Sequence, residues 1–123
     1  MKILLDTHIL LWTIAQKDRL PPKAQNLIGN EQNDIFFSLV SVWEVAIKHI
    51  VKPQDMPISE EDFAKYCFES KFNLLSLEMK HIFAFKTLQR ADNAPVHKDP
   101  FDRLLIAQAK TENMKFITHD KLL

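Results

Sequence analysis

The sequence has 123 residues, 46% hydrophobic and 26% charged, which suits one globular domain with a real core and excludes disordered, fibrous and membrane-spanning classes. Lysine plus arginine equals aspartate plus glutamate at 16 each, so no global basic charge marks a nucleic-acid binder, and any such contact has to be local. One glycine and six prolines leave no room for a flexible linker; the single cysteine, Cys67, excludes an intramolecular disulfide and any multi-cysteine metal site. The start, MKILLD, has too short an apolar run for a signal peptide, so a cytoplasmic location is the simplest expectation.

In chain order, Lys2 to Leu5 reads as a buried strand with Asp6 at its C-terminal end. Asp6 or Thr7 then starts a helix, His8 to Ala15, whose residues Ile9, Leu10, Leu11, Trp12, Ile14 and Ala15 leave almost no polar face. The sheet should cover one side of it and something else, a partner among the options, the other. Pro21 and Pro22 open a second short helix ending near Gly29, and Asp34 to Ser38 (DIFFS) is the second strand. Alternating strands and helices predict a parallel sheet with helices on both faces. In such sheets ligands gather beyond the carboxyl ends of the strands, where Asp6 stands.

A third helix is expected from Ser41 to about Val51, with Trp43, Ala46, Ile47 and Ile50 as its core stripe and Glu44 one position off it. Ser41-x-x-Glu44 fits a capping box, and Glu44 with Lys48 fits an i,i+4 ion pair; both compete with a functional role for Glu44. Pro53 to Pro57 reads as a loop. Ser59 to Asp62 starts a helix that carries Phe63, Tyr66, Cys67 and Phe68, Phe72 to Leu77 is a third strand, Glu78 to Leu88 a further helix, and Ala91 to Val96 a loop.

The stretch His97 to Ala109, HKDPFDRLLIAQA, turns from dense polar chemistry into a buried helix. Asp99-Pro100 has the form of an N-cap followed by proline at the first helical position, and Asp102 falls in the first turn. Lys115 to Thr118 (KFIT) makes a fourth strand that ends at His119 and Asp120. Four acids are thus candidates for one place: Asp6 and Asp120 after strands, Glu44 and Asp102 near helix starts. Two like charges about 4 Å apart repel by about 4 kcal/mol at an effective dielectric of 20, so such clustering needs a counter-ion. Oxygen-only ligation, without cysteine and without HExxH, suits Mg²⁺ or Mn²⁺. His8, His97 and His119 adjoin the acids and fit surface or supporting positions better than ligand positions.

DTHILLW, SVWEVAIK, HKDPFDRLLIAQA and FITHD, in this order and spacing, resemble the PIN-domain nucleases, in particular the VapC-like toxins of bacterial toxin–antitoxin pairs. The resemblance spans essentially the whole chain. It implies a three-layer α/β/α fold around a central parallel sheet and a Mg²⁺-dependent ribonuclease site in which Asp6, Glu44 and Asp102 match the three metal-site acids and Asp120 the more variable fourth. Asp99 matches a residue frequent in this branch that is not a core ligand. The implied reaction is hydrolysis of RNA phosphodiesters by metal-activated water, with Arg103 or Lys98 offsetting charge on the phosphate. The family usually continues past its last aspartate with a short helix and an edge strand, whereas this sequence stops at Leu123. The expectation is therefore one domain, residues 1–123, with four strands, or five if an edge strand forms.

The alternatives are a non-cleaving, protein-binding version of the same fold, against which retention of all four acids argues, and a receiver-type phospho-acceptor domain. The latter wants an acidic pair after the first strand, where this chain has Asp6 followed by Thr7 and His8. Nine phenylalanines and two tryptophans are a large inventory for one small core, so some should form exposed interface surface. Leu10 to Ile14 and the helices carrying Phe63, Phe68, Phe83 and Phe85 are the expected segments. The resemblance implies the occupants: a second copy in a homodimer and a cognate antitoxin.

Overall fold

A computed structural model describes residues 1–91 and 99–118. Four strands, β1 (Lys2–Leu5), β2 (Asp34–Ser38), β3 (Asn73–Leu75) and β4 (Lys115–Ile117), form one sheet in the order β3-β2-β1-β4. Every pairing is parallel, with Leu4 opposite Phe36 on one side and Phe116 on the other. Six α-helices connect and cover the strands: α1 (Thr7–Ala15), α2 (Pro22–Gly29), α3 (Leu39–Val51), α4 (Glu60–Glu69), α5 (Met79–Ala91) and α6 (Pro100–Thr111). No described helix is long and apolar enough to cross a membrane.

The two-residue period of the strands divides the core between the two faces of the sheet. Ile3, Leu5, Ile35, Phe37 and Ile117 point to one side, where Ile9, Leu10, Ala24, Phe63 and Cys67 of α1, α2 and α4 meet them. Leu4 and Phe116 point to the other, against Leu105, Ile106 and Ala109 of α6. The result is a three-layer α/β/α sandwich. Burial pushes the Cys67 thiol up to about 12, which fits a small core hydrophobe rather than a reactive group.

With one glycine in the chain, two helices end on other residues in the left-handed region. Lys71 (φ 65°) and Asn113 (φ 58°) follow α4 and α6. Phe72 N–H then reaches back to Cys67 O at 3.0 Å, and Met114 N–H to Ala109 O at 2.8 Å, the long hydrogen bonds of a Schellman ending.

Several expected boundaries shift. α1 starts at Thr7, β3 is confined to Asn73–Leu75, and α5 runs on to Ala91, three residues past the expected Leu88. The larger correction is α3, which starts at Leu39 with Ser38 as its cap, the Ser38 hydroxyl accepting from Val40 N at 2.9 Å. The capping box Ser41-x-x-Glu44 therefore does not form, because Ser41 is buried inside the helix. The inward face of α3 is Val40, Ser41, Glu44 and Val45; Trp43, Ile47 and Ile50 of the expected core stripe are 53%, 37% and 79% exposed. Of the segments expected at an interface, Leu10 and Phe63 are fully buried, whereas Phe68 and Phe83 are exposed as expected, as are Trp43 and Tyr66.

A buried polar relay locks α6 to the sheet and to α5. Gln108, with no exposure, accepts at Oε1 from the Ser38 hydroxyl and donates from Nε2 to Ser76 O at 3.2 Å. Its Nε2 also lies 3.4 Å from His81 Nδ1. His81 is equally buried; its Nδ1 accepts the Glu78 N–H at 3.0 Å, so Nε2 carries the proton and meets Glu112 Oε2 at 2.7 Å. That hydrogen bond, and then Lys80's, hold the Glu112 carboxyl below its ordinary value. Replacing Gln108→Met keeps the volume but orphans the buried Ser38 O–H, while the carbonyl of exposed Ser76 returns to water. At about 1–3 kcal/mol for one buried unsatisfied group, urea unfolding should show a loss of about 1–3 kcal/mol. Unchanged stability would show that the relay does not hold the layers together.

Candidate active site

The chain leaves β1 on one side, towards β2 and β3, and returns on the other to make β4. Beyond the carboxyl ends of adjacent strands whose connections diverge in this way, a parallel sheet leaves a crevice that helices do not fill. Asp6 occupies this place. Its backbone N–H donates to Ile117 O at 3.0 Å, which continues the β1–β4 pairing by one bond, and its Oδ1 accepts from Ile9 N at 2.8 Å, which caps α1. Held from both sides, the carboxylate is only 2% exposed.

Glu44 comes to the same edge from α3 and is also 2% exposed. Burying a carboxylate is costly unless it is paired and hydrogen-bonded, and both conditions are met. The Thr7 hydroxyl donates to Glu44 Oε1 at 2.6 Å and lies 2.9 Å from the Ser41 hydroxyl. Lys48 Nζ binds Oε2 at 2.6 Å. Because Thr7 directly follows Asp6, the Thr7–Glu44 bond sets the second carboxylate beside the first.

The third acid arrives with α6. Asp99 caps this helix, its Oδ1 accepting from Phe101 N at 2.9 Å, and Pro100 takes the first helical position. Asp102, in the first turn, is half-buried. Phe101 meets Trp43 edge to face at 5.0 Å, which fastens the start of α6 to α3. The charges converge on one cation: burial lowers the pKa of Lys48, but its hydrogen bond and ion pair with Glu44, with the added charges of Asp99 and Asp102, more than offset this and raise it above the ordinary lysine value.

Glu44 and Asp102 thus act on one lysine ammonium, and Asp6, buried like Glu44, directly precedes Thr7, which holds Glu44. Arg103, partly buried, follows Asp102 in the same turn, and His8 is exposed at the start of α1. Asp120, Lys98, His97 and His119 lie outside the described residues. The only signal of Thr7 in the sequence is a hydroxyl directly after a strand-end aspartate, and that of Lys48 is its i,i+4 spacing from Glu44.

The donor set fits a hard divalent cation, since it is all oxygen and already draws a positive charge. Among the described residues, the one set of three potential ligands whose atoms all lie within 4.8 Å of one another is elsewhere: Glu78, His81 and Glu112. The ring wiring of His81 argues against a cation there, because its Nδ1 is taken by the Glu78 N–H and its Nε2 must hold the proton. Asp6, Glu44 and Asp102 stand wider apart, with Lys48 drawn to Glu44, Asp99 and Asp102.

The family model described as "PIN domain" matches residues 3–123. No curated protein matches. Among solved structures, the chain is similar to VapBC2 from Rickettsia felis bound to a promoter DNA fragment, at 20% identity over 94% of this chain and 86% of the other, with a TM-score of 0.60. It is also similar to DNA-bound VapBC from Salmonella typhimurium, at 16% identity over 96% and 86% of the two chains and TM-score 0.65. VapBC-1 from nontypeable Haemophilus influenzae gives 16% identity, 98% and 87% coverage and TM-score 0.61.

Glu44→Gln separates charge from shape. The amide still accepts the Thr7 hydroxyl but no longer attracts a cation, while half-exposed Lys48 regains water. The melting temperature should move by a few degrees at most, and calorimetry should show divalent-cation affinity falling at least about tenfold, as loss of a ligand charge implies. Unchanged affinity would remove Glu44 from the site.

Proposed function

Because this chain belongs to the PIN domain family, we propose that it is a metal-dependent ribonuclease, the VapC-like toxin of a toxin–antitoxin pair, which hydrolyses RNA phosphodiesters with water. PIN domains are generally nucleases. The observation that supports the reading best is the pair of buried carboxylates, Asp6 and Glu44, joined through Thr7 where β1 ends, with Asp102 acting on the same lysine. Two buried charges at a sheet edge are costly, and they support a cation-binding role beside their structural ones in capping α1 and fixing α3.

In this reading Asp6, Glu44 and Asp102 hold a Mg²⁺ or Mn²⁺ ion, with Asp120 as a fourth acid. When bound, the cation supplies a water acidic enough to attack at neutral pH and positive charge against the phosphate. The chain's own residues do the positioning. The N-terminus of α1 and the β4 carbonyl fix Asp6; Thr7 orients Glu44; Asp99 and Pro100 start α6 so that Asp102 is presented in its first turn. Arg103, or Lys98, offsets charge that builds on the phosphate oxygens. No protein nucleophile is required, and the only thiol is buried.

The partners follow from the surface. Trp43, Leu77, Ile82, Phe85, Phe101 and Leu104 line an apolar hollow of about 370 Å³ between α3, α5 and α6. Of these, Trp43 and Ile82 are 53% and 51% exposed. An apolar patch of this kind marks an interface, here that of a homodimer. The VapBC structures that it resembles support a cognate antitoxin as the second partner.

Two experiments test this reading. Asp102→Asn should lower Mg²⁺-dependent cleavage of single-stranded RNA at least about 100-fold, as loss of a charge from the site implies, while apo stability changes by less than about 1 kcal/mol, the scale of a first-turn charge. A wild-type protein that binds Mg²⁺ yet cleaves no RNA would establish the non-cleaving alternative. Light scattering across a concentration series should show a dimer that Trp43→Ala weakens and that a neighbouring gene product binds; a strict monomer indifferent to that product would remove both partners.

A further inference from the structure

Glu44 and Lys48 differ in how freely they move. Glu44 is 2% exposed and fixed by Thr7, whereas the Lys48 side chain is 41% exposed on a flexible stem. At 2.6 Å from Glu44 Oε2, the ammonium takes the position next to that oxygen that a bound cation needs. Asp99 and Asp102 add their charge to the same ammonium. On its other side Lys48 lines a hollow of about 460 Å³ together with His8, Ile47, Lys52, Asp55 and Met56. The hollow pairs a second lysine with an apolar floor, and only Asp55 opposes an anion there.

We propose that Lys48 is the resident counter-ion of the acidic site, that it leaves Glu44 when a divalent cation binds, and that its ammonium then holds a phosphate of the RNA strand lying in the adjoining hollow. The inference rests on the nuclease reading above. Two positive charges on one carboxylate oxygen repel strongly, and Lys48 is the one free to move, since water already reaches it. Without the cation, Lys48 offsets the repulsion among the acids and keeps the apo protein folded. After the exchange it carries positive charge, beside that of Lys52, to a phosphate of the strand next to the scissile bond. Metal loading and RNA binding are coupled through this one side chain.

Titration calorimetry with MnCl₂ on the full chain tests the exchange. Lys48→Met removes the competitor and should bind Mn²⁺ about tenfold more tightly, with a lower apo melting temperature. Lys52→Met, which removes an equal charge four residues on, should stay within about twofold of wild type. Lys48→Arg keeps the charge and the apo fold but grips the carboxylate through two N–H groups, so it should bind Mn²⁺ more weakly. The strand contact is read by fluorescence anisotropy with a phosphorothioate RNA oligonucleotide. Lys48→Met should reduce the dependence of log Kd on log salt by about one unit in the presence of Mn²⁺ and leave it unchanged without the ion. Equal Mn²⁺ affinity in wild type, Lys48→Met and Lys48→Arg, or the same salt dependence with and without metal, overturns this inference alone. If wild type itself gives no heat of Mn²⁺ binding, the metal-site reading falls first and this inference with it.

Discussion

The burial of the Glu44 carboxylate is the constraint on which the rest of the structure depends. A carboxylate withdrawn from water has to be given a donor and a positive charge, and here each comes from a different place. The donor is Thr7, next to Asp6 at the end of β1; the charge is Lys48, one turn further along α3. Satisfying Glu44 therefore couples the sheet edge to α3, and the edge-to-face contact of Trp43 with Phe101 couples α3 to α6. Three acids distant in sequence share one edge because these two contacts close the path between them.

The same constraint explains the orientation of α3. Turned so that Glu44 reaches Thr7, the helix buries Val40, Ser41 and Val45 and leaves Trp43, Ile47 and Ile50 on the outside. A helix with apolar residues on two faces has more than one way to pack, and the buried ion pair decides between them. Trp43 of this outward stripe then shares an apolar hollow with Ile82 and Phe85 of α5, so one choice of helix rotation serves both Glu44 and the expected partner face.

Much of this was legible in the residues. β1, β2 and β4 are short apolar runs next to polar punctuation, and Asp99-Pro100 announces the start of α6 through capping chemistry that acts within a few residues. Asp6 and Asp102 could be picked out because one follows a strand and the other lies in the first turn of a helix; Glu44 was expected near a helix start, but α3 begins at Leu39 and places it in the second turn. The rotation of α3 could not, since the pattern WxxAIxxI satisfies the helical period as well as the buried face does. Thr7, Gln108 and His81 were also beyond reach. Their roles are set by partners 37, 70 and 31 residues away, and no local period carries that information. Gln108 left a trace as a lone amide within LLIAQA, a polar group at a position that faces the core.

We propose that Asp6, Glu44 and Asp102 form one cation site at the carboxyl edge of the sheet, and a crystal grown with Mn²⁺ and measured for anomalous scattering tests it most directly. A strong anomalous peak is expected among oxygens of Asp6, Glu44 and Asp102, with Lys48 Nζ withdrawn from Glu44. A peak at Glu78, His81 and Glu112 instead, or Lys48 still bonded to Glu44 with no peak beside Asp6, would contradict it.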